Sequence, residues 1–105
     1  MVQLPTKVKN TLDRYLLALK QSNIPIQKAI LFGSYARGNS HEWSDIDVAL
    51  VSDAFVGNRM DDKDKIRSIT LSISSELEVI PFAPQDFTPQ NPFVKEILRT
   101  GIQLV

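Results

Sequence analysis

The residues best suited to chemistry lie in two short stretches of the sequence, 31–38 and 44–51. The first begins with an apolar run that predicts a strand, followed by a turn at Gly33 and a short helix that starts near Ser34. The N-terminus of a helix presents unpaired N–H groups, which favour the binding of an anion such as phosphate. We therefore predict that an anion binds at this turn.

The second stretch places two carboxylates on one strand. Asp45 and Asp47 open an apolar run that ends at Val51, and residues two apart on a strand point to the same face, about 6.5–7 Å apart along the chain. Two carboxylates on an otherwise buried strand are costly unless a cation or a basic side chain neutralises them. The spacing predicts a site for one or two cations.

Together, the two stretches resemble the signature of the nucleotidyltransferase superfamily that includes DNA polymerase beta, in which a Gly-Ser pair precedes Asp-x-Asp on the next strand. The form is that of the minimal nucleotidyltransferases of prokaryotes. The matching positions are Gly33, Ser34, Arg37, Gly38, Ser44, Asp45 and Asp47. The resemblance extends over residues 24–105, because the pattern Ile-Leu-x-x-Gly-Ile-x-Leu near the end is also similar to those proteins.

This resemblance implies a nucleotidyltransferase fold of the α/β (α+β) class, a small mixed sheet of three to four strands packed with helices. It also implies attack on the α-phosphate of a nucleoside triphosphate, with release of pyrophosphate and with two Mg²⁺ ions as cofactors. Asp45 and Asp47 would hold both ions, and Glu78 would complete the catalytic one. The superfamily usually has Asp at the third position, so Glu78 is a departure from its pattern.

The same resemblance assigns the other site residues. Gly33 and Ser34 would hold the β- and γ-phosphates of ATP, the expected substrate. Two roles stay open for Arg37, which either binds the triphosphate or pairs with a strand acid as part of the scaffold.

The expected partner is also implied by the family. Minimal nucleotidyltransferases resemble antitoxins that accompany a HEPN ribonuclease toxin, so we expect transfer of AMP to a hydroxyl of such a toxin, most plausibly on a tyrosine, within a hetero-oligomer. An antitoxin that neutralises its partner by binding, with weak or no catalysis, is the alternative, and Glu78 keeps it open. An antibiotic-modifying adenylyltransferase would need a further substrate-binding domain.

Length and composition limit the other functions. We expect the 105 residues to form one domain, 1–105, and the twelve basic and twelve acidic side chains cancel, so no overall field attracts nucleic acid. The chain has no cysteine, and it contains neither an apolar signal segment nor a run near the ~20 residues that span a membrane. We interpret the protein as cytoplasmic and soluble.

Hydrophobic spacing and turn residues predict the elements that position the motif. A first amphipathic helix follows Pro5 with Thr6 as its N-cap, and a second helix opens with the acids at 61–64. A last helix has Asn91 as N-cap and Gly101 at the C′ position. The acids are interpreted as complements of the helix dipole rather than metal ligands. The predicted strands are residues 26–32, 45–51 and 77–82, with a short edge strand at 102–105.

Two residues between the halves of the motif stay without an assigned role. His41 is the only histidine, but nothing nearby in the sequence orients it for catalysis. Trp43 either stacks on a base or packs as a lid on the edge of the sheet.

Overall fold

The computed structural model describes residues 4–41 and 44–105, which form one mixed sheet with helices on both faces. Within these ranges, no helix is long and apolar enough to cross a membrane. The elements in chain order are α1 (Thr6–Gln21), β1 (Lys28–Phe32), α2 (Ser34–Arg37), β2 (Ile46–Val51), α3 (Arg59–Ile73), β3 (Leu77–Phe82), a 3-10 turn (Pro84–Asp86), α4 (Pro92–Thr100) and β4 (Ile102–Gln103).

The order of the strands brings the two halves of the motif to one edge of the sheet. The order is β3-β2-β1-β4, in which β1 is antiparallel to β2 and β4, and β2 is parallel to β3. The end of β1 therefore lies beside the start of β2, and the start of β3 lies on the other side of β2. The predicted α/β fold with a small mixed sheet is confirmed.

Strand β2 separates two hydrophobic layers. Its residues Ile46, Val48 and Leu50 pack with α1 and α3 on one face. Ala49 and Val51 point to the other face, where they pack with α4. Because side chains alternate along a strand, Asp47 belongs to the face that carries α4. The alternation thus separates Asp47 from the apolar row formed by Ile46, Val48 and Leu50.

The ends of two helices differ from the sequence prediction. Helix α1 begins at Thr6 itself, with Pro5 as N-cap and no side-chain cap, because proline already has a φ that suits a helix start. Helix α3 begins at Arg59, earlier than the acids, and Asn58 caps it by accepting a hydrogen bond from the N–H of Asp61.

Gly101 is the C-cap residue of α4, with a φ of −80°, which is one position earlier than the predicted C′. The reason for a glycine here is space. A Cβ at this position would lie 2.5 Å from both Cγ2 of Ile30 and the carbonyl oxygen of Ile97. The glycine therefore lets the end of α4 approach β1 closely.

Asp62 anchors the loop that follows β2. Its side chain is 1% exposed, and its two carboxylate oxygens accept hydrogen bonds from the N–H groups of Val56 (2.9 Å) and Gly57 (3.0 Å). Lys65 lies 3.5 Å from the same carboxylate and donates to the carbonyl of Ala54 at 2.7 Å. Asp62 was predicted to complement the helix dipole. It also accepts the hydrogen bonds of two backbone N–H groups in the loop.

Replacing Asp62 with alanine should destabilise the protein by about 3 kcal/mol, because it leaves two loop N–H groups without an acceptor. Urea unfolding measures the change. The neighbouring Asp61→Ala, at an exposed position, is the control and should cost less than about 1 kcal/mol. Equal losses in the two variants would contradict the anchoring role.

Candidate active site

The turn at Gly33 lies directly against the carboxylate of Asp47. Gly33 has a φ of 77° and a ψ of −150°, which side-chain-bearing residues rarely adopt, and a Cβ built on it would collide with Oδ2 of Asp47. Ser34 then opens α2, whose first turn has no side-chain cap. The structure therefore brings the predicted phosphate turn and the second acid of the motif into contact.

Three adjacent strands place a row of side chains beside this turn. Phe32 of β1 is in register with Asp47 of β2, which is in register with Glu78 of β3. Residues opposite each other in a sheet share a face, so all three belong to the face that carries α4. Asp45 is exposed and lies one residue before β2.

The charges of these acids act on one another. The pKa of Asp47 is raised, first by burial and then by the negative charges of Asp45 and Glu78, while the positive charge of Arg37 opposes the shift. Such a shift means that the ionised form of Asp47 lacks full compensation. The site is therefore suited to a cation.

Glu78 pairs with a lysine on α3. Its side chain is 57% exposed, and its carboxylate lies 3.7 Å from the ammonium of Lys63 on α3. Among residues 4–41 and 44–105, no three acidic or histidine side chains already surround one point as metal ligands. The predicted convergence is thus incomplete, although an exposed pair of this kind is worth at most about 1 kcal/mol and gives way easily to a divalent cation.

The comparisons with known proteins agree with this geometry. Residues 12–103 match the model of the nucleotidyltransferase domain family. The chain belongs to this family. The predicted enzyme class, nucleotidyltransferase, is confirmed. A candidate protein adenylyltransferase of Methanocaldococcus jannaschii is 31% identical over 105 residues, covering 93% of this chain and 71% of the relative.

Solved structures share the fold. A toxin-antitoxin structure with AMP-PNP has a TM-score of 0.59 and 26% identity, over 96% of this chain and 73% of that one. A candidate nucleotidyltransferase from Sulfolobus solfataricus has a TM-score of 0.58 and 20% identity, over 98% of this chain and 89% of that one. A variant of the toxin-antitoxin MntA-HpeT has a TM-score of 0.56 and 21% identity, over 89% and 71%.

Arg37 of this nucleotidyltransferase is exposed on the last turn of α2. In the described part of the chain, no acid lies within 4 Å of its guanidinium, so the scaffold ion pair considered for it is not present there. Its positive charge nevertheless opposes the rise in the pKa of Asp47, and it adds to the lowering of the pKa of Glu96 on α4, which comes first from the hydrogen bond with Arg99. The guanidinium therefore belongs to the electrostatic environment of the acids.

Ser44, a motif residue to which the sequence assigned no role, closes the turn before Asp45. It is 8% exposed, its hydroxyl accepts a hydrogen bond from the N–H of His41 at 2.9 Å, and its own N–H donates to the carbonyl of His41 at 3.0 Å. The backbone of His41 thus helps to position the first acid. Trp43, for which we left two roles open, lies outside the described residues.

The sequence analysis also missed three side chains around the acids. Lys63 holds Glu78, Phe93 of α4 contacts Phe32, and Arg99 binds Glu96 through two hydrogen bonds. The contacts of Lys63 and Phe93 join residues that are distant in sequence, so only the fold reveals them, whereas Arg99 and Glu96 are three residues apart on one helix.

An apolar groove lies elsewhere in the described part of the chain. It has a volume of about 820 Å³ and is lined mainly by apolar side chains from the end of α1 and the segment before β1, with Val105. It lies at the start of β1, whereas the turn at Gly33 follows the end of that strand. The functional assignment depends on the carboxylates and not on the size of a cavity.

Proposed function

We propose that this chain is a Mg²⁺-dependent protein adenylyltransferase, which transfers AMP from ATP to a hydroxyl, plausibly of a tyrosine, on a cognate HEPN toxin and so acts as its antitoxin. The observation that supports the proposal is the row formed by the Gly33 turn, Asp47 and Glu78 at one edge of the sheet. In this arrangement, the Gly33 turn would bind phosphates and the carboxylates of Asp47 and Glu78 would bind a cation.

The donor set fits Mg²⁺, which prefers carboxylate oxygens and retains water and substrate phosphates as further ligands. Asp45 and Asp47 would hold the ions, and Glu78 would join them after leaving Lys63. Bound Mg²⁺ would supply charge stabilisation for the attacking and leaving oxygens of an in-line displacement. The raised pKa of Asp47 is the sign that these carboxylates need such compensation.

Other residues of the chain would bind the phosphates and accept the proton of the acceptor hydroxyl. The backbone at Gly33 and the hydroxyl of Ser34 would bind the β- and γ-phosphates, with Arg37 available for further charge. The acceptor oxygen forms a bond to the α-phosphorus as the bond to pyrophosphate breaks. Glu78, which is exposed on the edge strand β3, would take the proton that the hydroxyl loses.

The alternative is an antitoxin that acts by contact alone. The observation that favours it is the position of Glu78, which contacts Lys63 and is not part of a finished ligand set. We favour catalysis because a pure binding protein gains nothing from holding Asp47 against the Gly33 turn beside two further acids.

Co-expression with the protein encoded beside this one, followed by intact mass analysis of that partner, tests the proposal. We expect mass increments of AMP that disappear with Asp45→Asn. A partner that is neutralised without any increment would instead support the contact-only antitoxin.

Variants of Glu78 test the third ligand. We expect Glu78→Gln to lose transfer activity by at least about a hundredfold, because it removes the charge, and Glu78→Asp to keep or improve activity, because it restores the usual ligand of the superfamily. The rate of pyrophosphate release with the partner present measures both. Equal rates for the wild type and Glu78→Gln would return Glu78 to the status of an ordinary exposed strand residue.

A further inference from the structure

Phe93 is an exposed aromatic side chain beside the candidate active site. It occupies the first turn of α4 and is 40% exposed, while its ring makes an edge-to-face contact with Phe32, with centroids 5.8 Å apart and the ring planes at 86°. An edge-to-face contact uses at most one face of either ring. At least one face of the Phe93 ring therefore stays free of Phe32.

The contact with Phe32 fixes the distance of this ring from the acids. Phe32 is in register with Asp47, and opposite residues of an antiparallel pair have Cβ atoms about 4.5–5.5 Å apart. Phe32 also directly precedes Gly33, the predicted phosphate turn. Phe93 thus contacts a residue that is itself adjacent to Asp47 and to the turn where the reacting phosphates are expected.

The packing of α4 is a second observation that places Phe93 near the acids. Val94, which directly follows Phe93, is buried in one cluster with Ala49 and Val51 of β2, and Phe32 packs against the same cluster. Asp47 belongs to this face of β2 as well. The first turn of α4 therefore lies on the face of the sheet that carries Asp47.

We propose that Phe93, supported from behind by Phe32, is the platform on which the base of the nucleotide stacks. This inference depends on the proposed function, since it names the part of the same site that holds the base. Stacking on an aromatic ring tolerates every base because each has a π face. The platform therefore contributes affinity for nucleotides over inorganic phosphates and does not select adenine.

Affinities for two ligands separate the base from the phosphates. ATP and inorganic tripolyphosphate, each with Mg²⁺, are titrated calorimetrically into the wild type and into Phe93→Leu, which keeps an apolar side chain for packing but has no aromatic face. We expect Phe93→Leu to bind ATP about 5- to 100-fold more weakly and tripolyphosphate with unchanged affinity. Phe93→Trp should bind ATP at least as tightly as the wild type.

Leu98 gives a matched control. It lies on the same helix and is 44% exposed, so Leu98→Ala removes a comparable exposed apolar side chain without an aromatic face. Its affinities for ATP and tripolyphosphate should equal those of the wild type.

Two results would overturn the platform: unchanged ATP affinity in Phe93→Leu, or an equal loss of ATP and tripolyphosphate affinity. In both cases the wild type still binds ATP, so the proposed function survives. A wild type that binds neither ligand would instead refute the proposed function, and the platform with it.

Discussion

Replacing Asp47 with asparagine is expected to abolish nucleotidyl transfer while the protein stays folded and becomes slightly more stable at neutral pH. Its carboxylate is a predicted ligand of the ions that stabilise charge in the displacement, a contribution of several kcal/mol, so turnover should fall at least about a thousandfold. The side chain contributes little to the core, because it lies against the Gly33 turn and beside two other acids.

The effect on stability follows from the pKa of Asp47. Burial and the neighbouring charges raise this pKa above 3.8 in the folded protein, so the folded state holds the proton more tightly than the unfolded chain. The contribution of the group to stability is therefore lost as the pH rises from 3.8 through the folded pKa. Asparagine has no such charge, so the gain in the variant should be present at pH 7 and disappear below pH 3.8.

Urea unfolding at pH 7 and under acidic conditions measures this difference, and pyrophosphate release measures turnover. Asp13→Asn, which removes an exposed carboxylate from α1, is the control and should change neither quantity appreciably. Near-normal turnover of Asp47→Asn with Mg²⁺ and ATP would show that the metal assignment is wrong.

The sequence was sufficient for features that depend on local spacing. Side chains alternate between the two faces of a strand whatever surrounds it, so Asp47 and the pair Val48 and Leu50 were expected on different faces of β2, as the structure has them. The apolar run that ends at Gly33 likewise predicted the strand, the turn and the short helix of the phosphate motif.

Features that depend on contacts between distant segments were not predictable in this way. The carboxylate of Glu78 pairs with Lys63 on a different element. The need for a glycine at position 101 comes from Ile30, which is 71 residues earlier in the chain. Phe93 falls within the predicted last helix, but the sequence assigns it no role. Its place beside Phe32 depends on how α4 packs on the sheet, which no local pattern encodes.

Gly33 offers the most direct test of the contact between the two halves of the motif. Gly33→Ala should destabilise the protein by about 1–3 kcal/mol from backbone strain alone, since φ is 77° and ψ is −150°. The added Cβ also collides with the carboxylate of Asp47, so the turn or the acid must move and binding of Mg²⁺ with ATP should be lost. Urea unfolding and calorimetric titration of ATP measure the two effects.

A matched glycine and a double variant separate strain from collision. Gly38→Asn is the matched substitution: Gly38 has the same φ of 77° but a ψ of 16°, the left-handed region that asparagine tolerates, so ATP affinity should persist.

Combining Gly33→Ala with Asp47→Ala removes the carboxylate that the new Cβ meets. The double variant should therefore be more stable than the sum of the two single changes in unfolding free energy predicts, as expected for residues in contact. Strictly additive losses would show that strain at the turn, and not contact with the acid, is the reason for glycine at this position.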